Sequence, residues 1–382
     1  MNVRNFILKP VTAILTIASS ALLIVACLDG SGGNNSGSSG GSAYAGPGSR
    51  WDVALAGDGA FSITKRETAT TPVVMTVTGT SVELPSGFIK LTVGNVTADA
   101  SVTDAPSAGD AAYALNVPGY VFFLKPLDST DDQVIPMVAS GSCPSSNFAA
   151  NWVNVNVEDD VSANNPLESM YGTFNFDVAT GTPTLPSTYS LTQSSLGADN
   201  LAGGSCADGI LILNNDQGDS ETEVYLANNG GAIVRTGIDT PDETDDTYIF
   251  GLAQETIADI ANVADEYAGL LFDASQLAGD QISPVSVSCN AAGACTGTIV
   301  DDIDTNTLST ETVTISLTTV DNPEVGFITG TISVPAGAGT VEGALTCMAN
   351  INAQGTGKNI MSCVGQSPDD NTELFNILLV SK

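Results

Sequence analysis

The chain has no histidine. That absence removes the commonest general base and the commonest metal ligand. Ser-His-Asp and Cys-His catalysis are excluded with it, as are zinc sites of the usual histidine kind. Positive charge is nearly as scarce. Ten Lys and Arg stand against 43 Asp and Glu, for a formal charge of −33. So acidic a surface repels phosphate backbones and anionic lipid headgroups. Nucleic-acid partners and charge-driven membrane binding are therefore excluded. Acidity of this degree suits solubility in salty surroundings, where screening acts within about 10 Å. Divalent cations are the partners it would attract.

What is present begins at the N-terminus. Arg4 and Lys9 supply positive charge, and Val11 to Ala26 follow as 16 uncharged, largely apolar residues. This is the layout of a secretory signal. The run falls short of the roughly 20 residues a relaxed transmembrane helix needs. It ends in Leu23-Ile24-Val25-Ala26-Cys27. That ending resembles the lipobox of bacterial lipoproteins. The resemblance implies cleavage of the signal peptide, residues 1–26, and acylation of Cys27 on its sulfur and its new amino group. Acyl chains would then hold the protein to a lipid bilayer at about 0.8 kcal/mol per buried CH₂. Cleavage would also remove Arg4 and Lys9, leaving eight basic residues against 43 acidic ones. Leu28, not Asp, follows the cysteine. In the sorting rule of some Gram-negative lipoproteins, that directs the protein to the outer membrane of the cell envelope.

Six further cysteines, Cys143, Cys206, Cys289, Cys295, Cys347 and Cys363, read as three disulfides in an exported chain. Cys289 and Cys295 bracket a tight loop. Cys347 and Cys363 lie symmetrically about Gly355, as cross-strand partners in a hairpin would. Cys143 and Cys206, each preceded by Gly-Ser, remain for each other.

Residues 27–50 comprise the lipidated cysteine and a Gly/Ser-rich linker, a flexible coil spanning about 25 Å. The linker contains Gly37-Ser38-Ser39-Gly40-Gly41, a GxSxG string without the strand–turn–helix context or the histidine that this motif needs. From Trp51 short alternating segments follow, separated by Gly, Pro, Asn, Asp and Ser. The spacing predicts a mainly β protein: two antiparallel β-sandwich or β-barrel domains, at 51–203 and 204–382, with one amphipathic helix. The opening hairpin around Trp51 and Phe61 resembles that of lipocalin-like barrels, although Gly48 and Trp51 do not make the Gly-x-Trp of that family. Tyr120 to Leu124 is apolar on both faces, which predicts a strand covered on both sides. Val313, Ile315 and Leu317 alternate with Thr and Ser and predict one buried face. The helix is expected over Ala253–Ala268, where Ile257, Ile260, Ala261, Ala264 and Tyr267 share a side and Gly269 follows as a C-cap.

Candidate chemistry is sparse. Asp302, Asp304 and Asn306 set oxygens at alternate positions, as at the start of a calcium loop. Thr307 stands where the loop needs glycine, and Glu311 comes too early for the closing ligand. Acidic clusters at Asp128/Asp131/Asp132, Asp216/Asp219/Glu221 and Asp239 to Asp246 are further calcium candidates. Ser62 and Lys65 match an SxxK pair, but on a strand positions i and i+3 point oppositely. No residue is assigned a catalytic role. The expected function is a non-catalytic binding, adhesive or structural lipoprotein whose ligand is a protein, a glycan or a small molecule. Alternatives are a lipocalin-like small-ligand carrier and a hydrolase working through a carboxylate pair.

Overall fold

The computed structural model describes residues 41–46, 51–66, 71–103, 105–125, 134–155, 170–191, 197–200, 205–214, 221–227, 231–236, 248–273, 282–336, 339–366, 368 and 374–382. Cys27, most of the linker and the cluster from Asp239 to Asp246 lie outside these residues. So do Asp128, Asp131, Asp132, Asp216 and Asp219.

The first eight strands are β1 (Ser42–Gly46), β2 (Trp51–Leu55), β3 (Ala60–Arg66), β4 (Val73–Glu83), β5 (Ile89–Ala98), β6 (Ala111–Val117), β7 (Val121–Lys125) and β8 (Ile135–Ala139). Each pairs antiparallel with the next, and β1 pairs β8 to close a barrel. Ser42–Gly46, expected as part of the 27–50 linker, is therefore strand: its backbone supplies the ladders that close the barrel, and Tyr44 enters the core. Strand alternation puts Phe61 and Ile63 of β3 inside, while Ser62 and Thr64 lie on the other face. Tyr44, Met75, Leu91, Phe122 and Met137 fill the interior with them. Eight strands enclose just enough room for side chains.

Next come β9 (Phe148–Val155), β10 (Met170–Asp177), β11 (Thr182–Ser190), β12 (Gly197–Asn200), β13 (Ser205–Ala207), β14 (Ile210–Asn214), β15 (Glu221–Leu226), β16 (Ala232–Thr236) and β17 (Tyr248–Ala253). They form one antiparallel sheet in the order β12-β11-β10-β9-β17-β16-β15-β14-β13. The division expected at 203/204 falls between β12 and β13, the two edges of this single sheet.

The chain ends in a second closed barrel. Its strands are β18 (Glu266–Asp273), β19 (Ile282–Cys289), β20 (Ala294–Asp302), β21 (Thr307–Val320), β22 (Phe327–Ala336), β23 (Gly339–Asn350), β24 (Ile360–Gln366) and β25 (Leu374–Ser381). Tyr267, Ile315, Leu345 and Phe375 pack inside with the four half-cystines of this region. Thr312, Thr314, Ser316 and Thr318 of β21 face solvent, as the alternation predicts.

The expected helix is absent. Ile260–Val263 makes one turn of 3₁₀ helix, capped by Asp259 and Asn262 in a capping box. Glu266 onward is strand β18, paired on both sides by β19 and β25. Gly269 sits within that strand rather than at a helix end. The physical reason is barrel closure: β18 completes two ladders of hydrogen bonds, and tertiary pairing overrides a helical period. Ile257, Val263 and Tyr267 still share an environment, since all three belong to the interior core of the second barrel.

One apolar core joins all three sheets. Val121 and Phe123 of the first barrel, Val153 and Phe250 of the middle sheet, and Leu270, Phe327 and Leu378 of the second barrel belong to it. Phe123 meets Phe250 edge-on at 4.9 Å, and Tyr171 meets Phe327 at 5.4 Å. The strand β7 is covered on both sides, with Phe122 and Leu124 in the barrel and Val121 and Phe123 in the shared core. Polar contacts cross the same junctions. Tyr120 Oη donates to the Gly231 carbonyl at 2.9 Å and accepts the Ala253 N–H at 3.3 Å. Asn376 Nδ2 donates to the Asn154 carbonyl at 2.6 Å. Burial raises the Tyr120 hydroxyl pKa well above its ordinary value.

Candidate binding cleft on the middle sheet

The middle sheet uses one face to pack on both barrels, but not along its whole length. On β9, β10 and β11 that face carries the row Val153–Tyr171–Tyr189, where Tyr171 packs against Phe327. The next row is led by Asn151, which is buried. Its Nδ2 donates to the Val325 carbonyl at 2.7 Å and its Oδ1 accepts from Gln254 Nε2 at 3.4 Å. Val325 lies on the β21–β22 loop of the second barrel. Asp321 holds that loop by accepting the Gly326 N–H at 2.8 Å and the Ile257 N–H at 3.2 Å. Tyr189 Oη donates to Glu324 at 2.8 Å.

Beyond that loop the same face continues uncovered. The first uncovered row is Ala149, Asn175 and Thr184, in register across three strands. Asp177 and Thr182 form the next pair, one pleat further out. Together with Asn147 and Thr180 they line a cleft of about 550 Å³; Phe148 and Phe176 also border it, but their rings turn to the opposite face of the sheet, toward Trp152 and Phe174. The turn after β10 is set by side chains of the lining itself. Asn147 Oδ1 accepts the Val178 N–H at 2.8 Å, and Asp177 Oδ1 accepts the Ala179 N–H at 2.9 Å. The two phenylalanine rings stand 5.9 Å apart, tilted by 44°. The lining therefore offers amides, hydroxyls and one carboxylate, with no cationic side chain. Sequence reasoning missed this cleft because Asn, Asp and Thr at strand ends are read as turn punctuation.

The residues singled out from the sequence lie elsewhere. Asp302 Oδ1 accepts the Asp304 and Thr305 N–H groups at 2.9 and 3.3 Å. Its pKa is lowered, first by the hydrogen bond from the Thr305 hydroxyl. Asp304 pairs with Lys90 of the first barrel, and Tyr113 Oη donates to it at 3.3 Å. That pairing raises the Lys90 pKa. Asn306 takes a left-handed backbone, φ 53°. These three residues thus form a turn whose carboxylates serve backbone N–H groups and a lysine across the two barrels. Among the described residues no cluster of three or more metal-ligating side chains occurs. Ser62 and Lys65 sit apart, with the Lys65 ammonium 5.0 Å from the Trp51 ring.

The six cysteines among the described residues stand as three pairs. Cys289 and Cys295 are directly opposed on β19 and β20, Cα–Cα 4.0 Å. Cys347 and Cys363 are opposed on β23 and β24, Cα–Cα 3.9 Å. Cys143 joins Cys206 across 63 residues, tying the segment before β9 to the edge strand β13.

No protein-family model matches the chain, and no curated protein matches it. Among solved structures the chain is similar to two crystal structures of the vaccine antigen transferrin binding protein B from Haemophilus parasuis Hp5. One is a tryptophan-to-alanine mutant, and the other also replaces a tyrosine by alanine. The TM-scores are 0.28 and 0.29 at 8% identity, and each comparison covers 87% of this chain and 65% of the other. Likeness at that level assigns neither a partner nor an activity.

Proposed function

We propose that the protein is a lipid-anchored, non-catalytic binding protein of the cell envelope, at the outer membrane. Cys27 is the acylated residue, the segment between it and β1 is the tether, and the three fused sheets are the platform that meets the ligand. The observation that carries this reading is the apolar core common to both barrels and the middle sheet. A recognition surface is most effective when its elements are held rigidly by packing. Both barrel interiors are occupied by their own side chains, which speaks against a lipocalin-like carrier. Several described carboxylates, including Asp177, Asp259, Asp302 and Asp321, accept backbone N–H groups and so serve structure. That use favours binding over carboxylate-driven hydrolysis. Metabolic labelling with palmitate tests the anchor. Label and detergent partitioning are expected in the native chain and lost in Cys27→Ala; equal label in both would overturn the proposal.

A further inference from the structure

The cleft over β9, β10 and β11 has a composition that selects its ligand. We propose that it binds a neutral saccharide, a short stretch of a glycan chain, which deepens the binding role proposed above and rests on it. Three observations point there.

The first is the chemistry of the lining. Asn147, Asn175, Thr182 and Thr184 carry amides and hydroxyls. Such groups both donate and accept, as each sugar hydroxyl does. The second is charge. The lining holds Asp177 and no Lys or Arg, on a chain of net charge −33. A phosphate, a sulfate or a uronate would find no partner there and would be repelled. The third is geometry. Side chains in register on a sheet face project across the cleft floor, so the backbone edge is not presented. A peptide could not add to the sheet there as an extra strand. The cleft of about 550 Å³ is in the usual range for ligand sites. Val325, 40% exposed, stands on the loop held by Asn151, one register row from the cleft.

The test uses the full-length protein in detergent and an array of neutral glucose-, mannose-, xylose- and N-acetylglucosamine-based trisaccharides beside sulfated and uronate-containing ones. Neutral trisaccharides are expected to bind, confirmed by titration calorimetry. The exposed Asn175 changed to Ala together with Thr184→Val should weaken binding about tenfold, through lost hydrogen bonds. Near-ultraviolet circular dichroism of the variant must match the native protein. Binding of anionic glycans alone, no neutral glycan bound at millimolar concentration, or unchanged affinity in the folded double variant would each overturn the saccharide proposal. Palmitate labelling is read on the same sample. Retained label with no glycan bound removes the saccharide and leaves the anchored binding protein standing, whereas lost label removes the anchor itself.

Discussion

Phe250→Ala should destabilise the first barrel, although Phe250 belongs to the middle sheet. Phe250 is fully buried on β17, and its ring meets Phe123 of β7 edge-on at 4.9 Å. Truncating a buried phenylalanine to alanine costs about 3–5 kcal/mol. Roughly 0.5–1.5 kcal/mol of that belongs to the aromatic pair. The chain provides its own reporters, for it has two tryptophans. Trp51 lies on β2 of the first barrel, and Trp152 lies on β9 with its Nε1–H donated to the Thr173 carbonyl at 3.2 Å. Trp51→Phe and Trp152→Phe backgrounds each leave one reporter. Urea unfolding is followed by fluorescence in each background, with and without Phe250→Ala. With a shared core, both reporters should move to lower urea together, by on the order of 1 M. A shift confined to Trp152, with the Trp51 midpoint unmoved, would refute the claim that the sheets unfold as one unit.

Two other outcomes are expected. Tyr120 and Tyr267 have pKa values raised above the ordinary 10.0, in both cases chiefly by burial. A group raised on folding contributes stability that is present in full below its unfolded pKa and is lost as pH rises through the folded one. Stability should therefore fall above pH 10, and phenolate absorbance from these two should appear only as circular dichroism reports unfolding. Complete titration of all eight tyrosines near pH 10 with the fold intact would contradict this. Non-reducing peptide mapping should recover Cys143–Cys206, Cys289–Cys295 and Cys347–Cys363. Replacing the Cys143–Cys206 pair, which closes 63 residues, should cost about 4 kcal/mol in the chain-entropy account, against about 3 for Cys347–Cys363 with 16. Free thiols at these positions, or an order reversed between the two pairs, would count against it.

Much of the β architecture was legible in the residues. The double apolarity of Tyr120–Leu124 reflects a strand with a barrel interior on one side and the shared core on the other. The Val-Thr alternation of β21 reflects a barrel wall with one wet face. Both patterns are local, because a strand's environment is written into every second residue. The segment 253–268 shows where that ends. Ile257, Val263 and Tyr267 do meet in one core while Ala261 is exposed, and they reach it through a 3₁₀ turn and a strand, because β19 and β25 supply the hydrogen bonds a helix would otherwise make for itself. The cleft was equally hidden. Ala149, Asn175 and Thr184 are far apart in the chain, and only strand pairing sets them side by side.

The amino-acid sequence alone settled composition-level facts: no histidine, a large excess of acid, strands rather than helices. Such properties add up residue by residue and need no neighbours. Closure of eight strands into each barrel, the joining of three sheets on one core, and the opening left beyond the Asn151 row came from the tertiary structure. Each depends on which distant strands pair and where a neighbouring loop stops covering a face, and no local pattern encodes that.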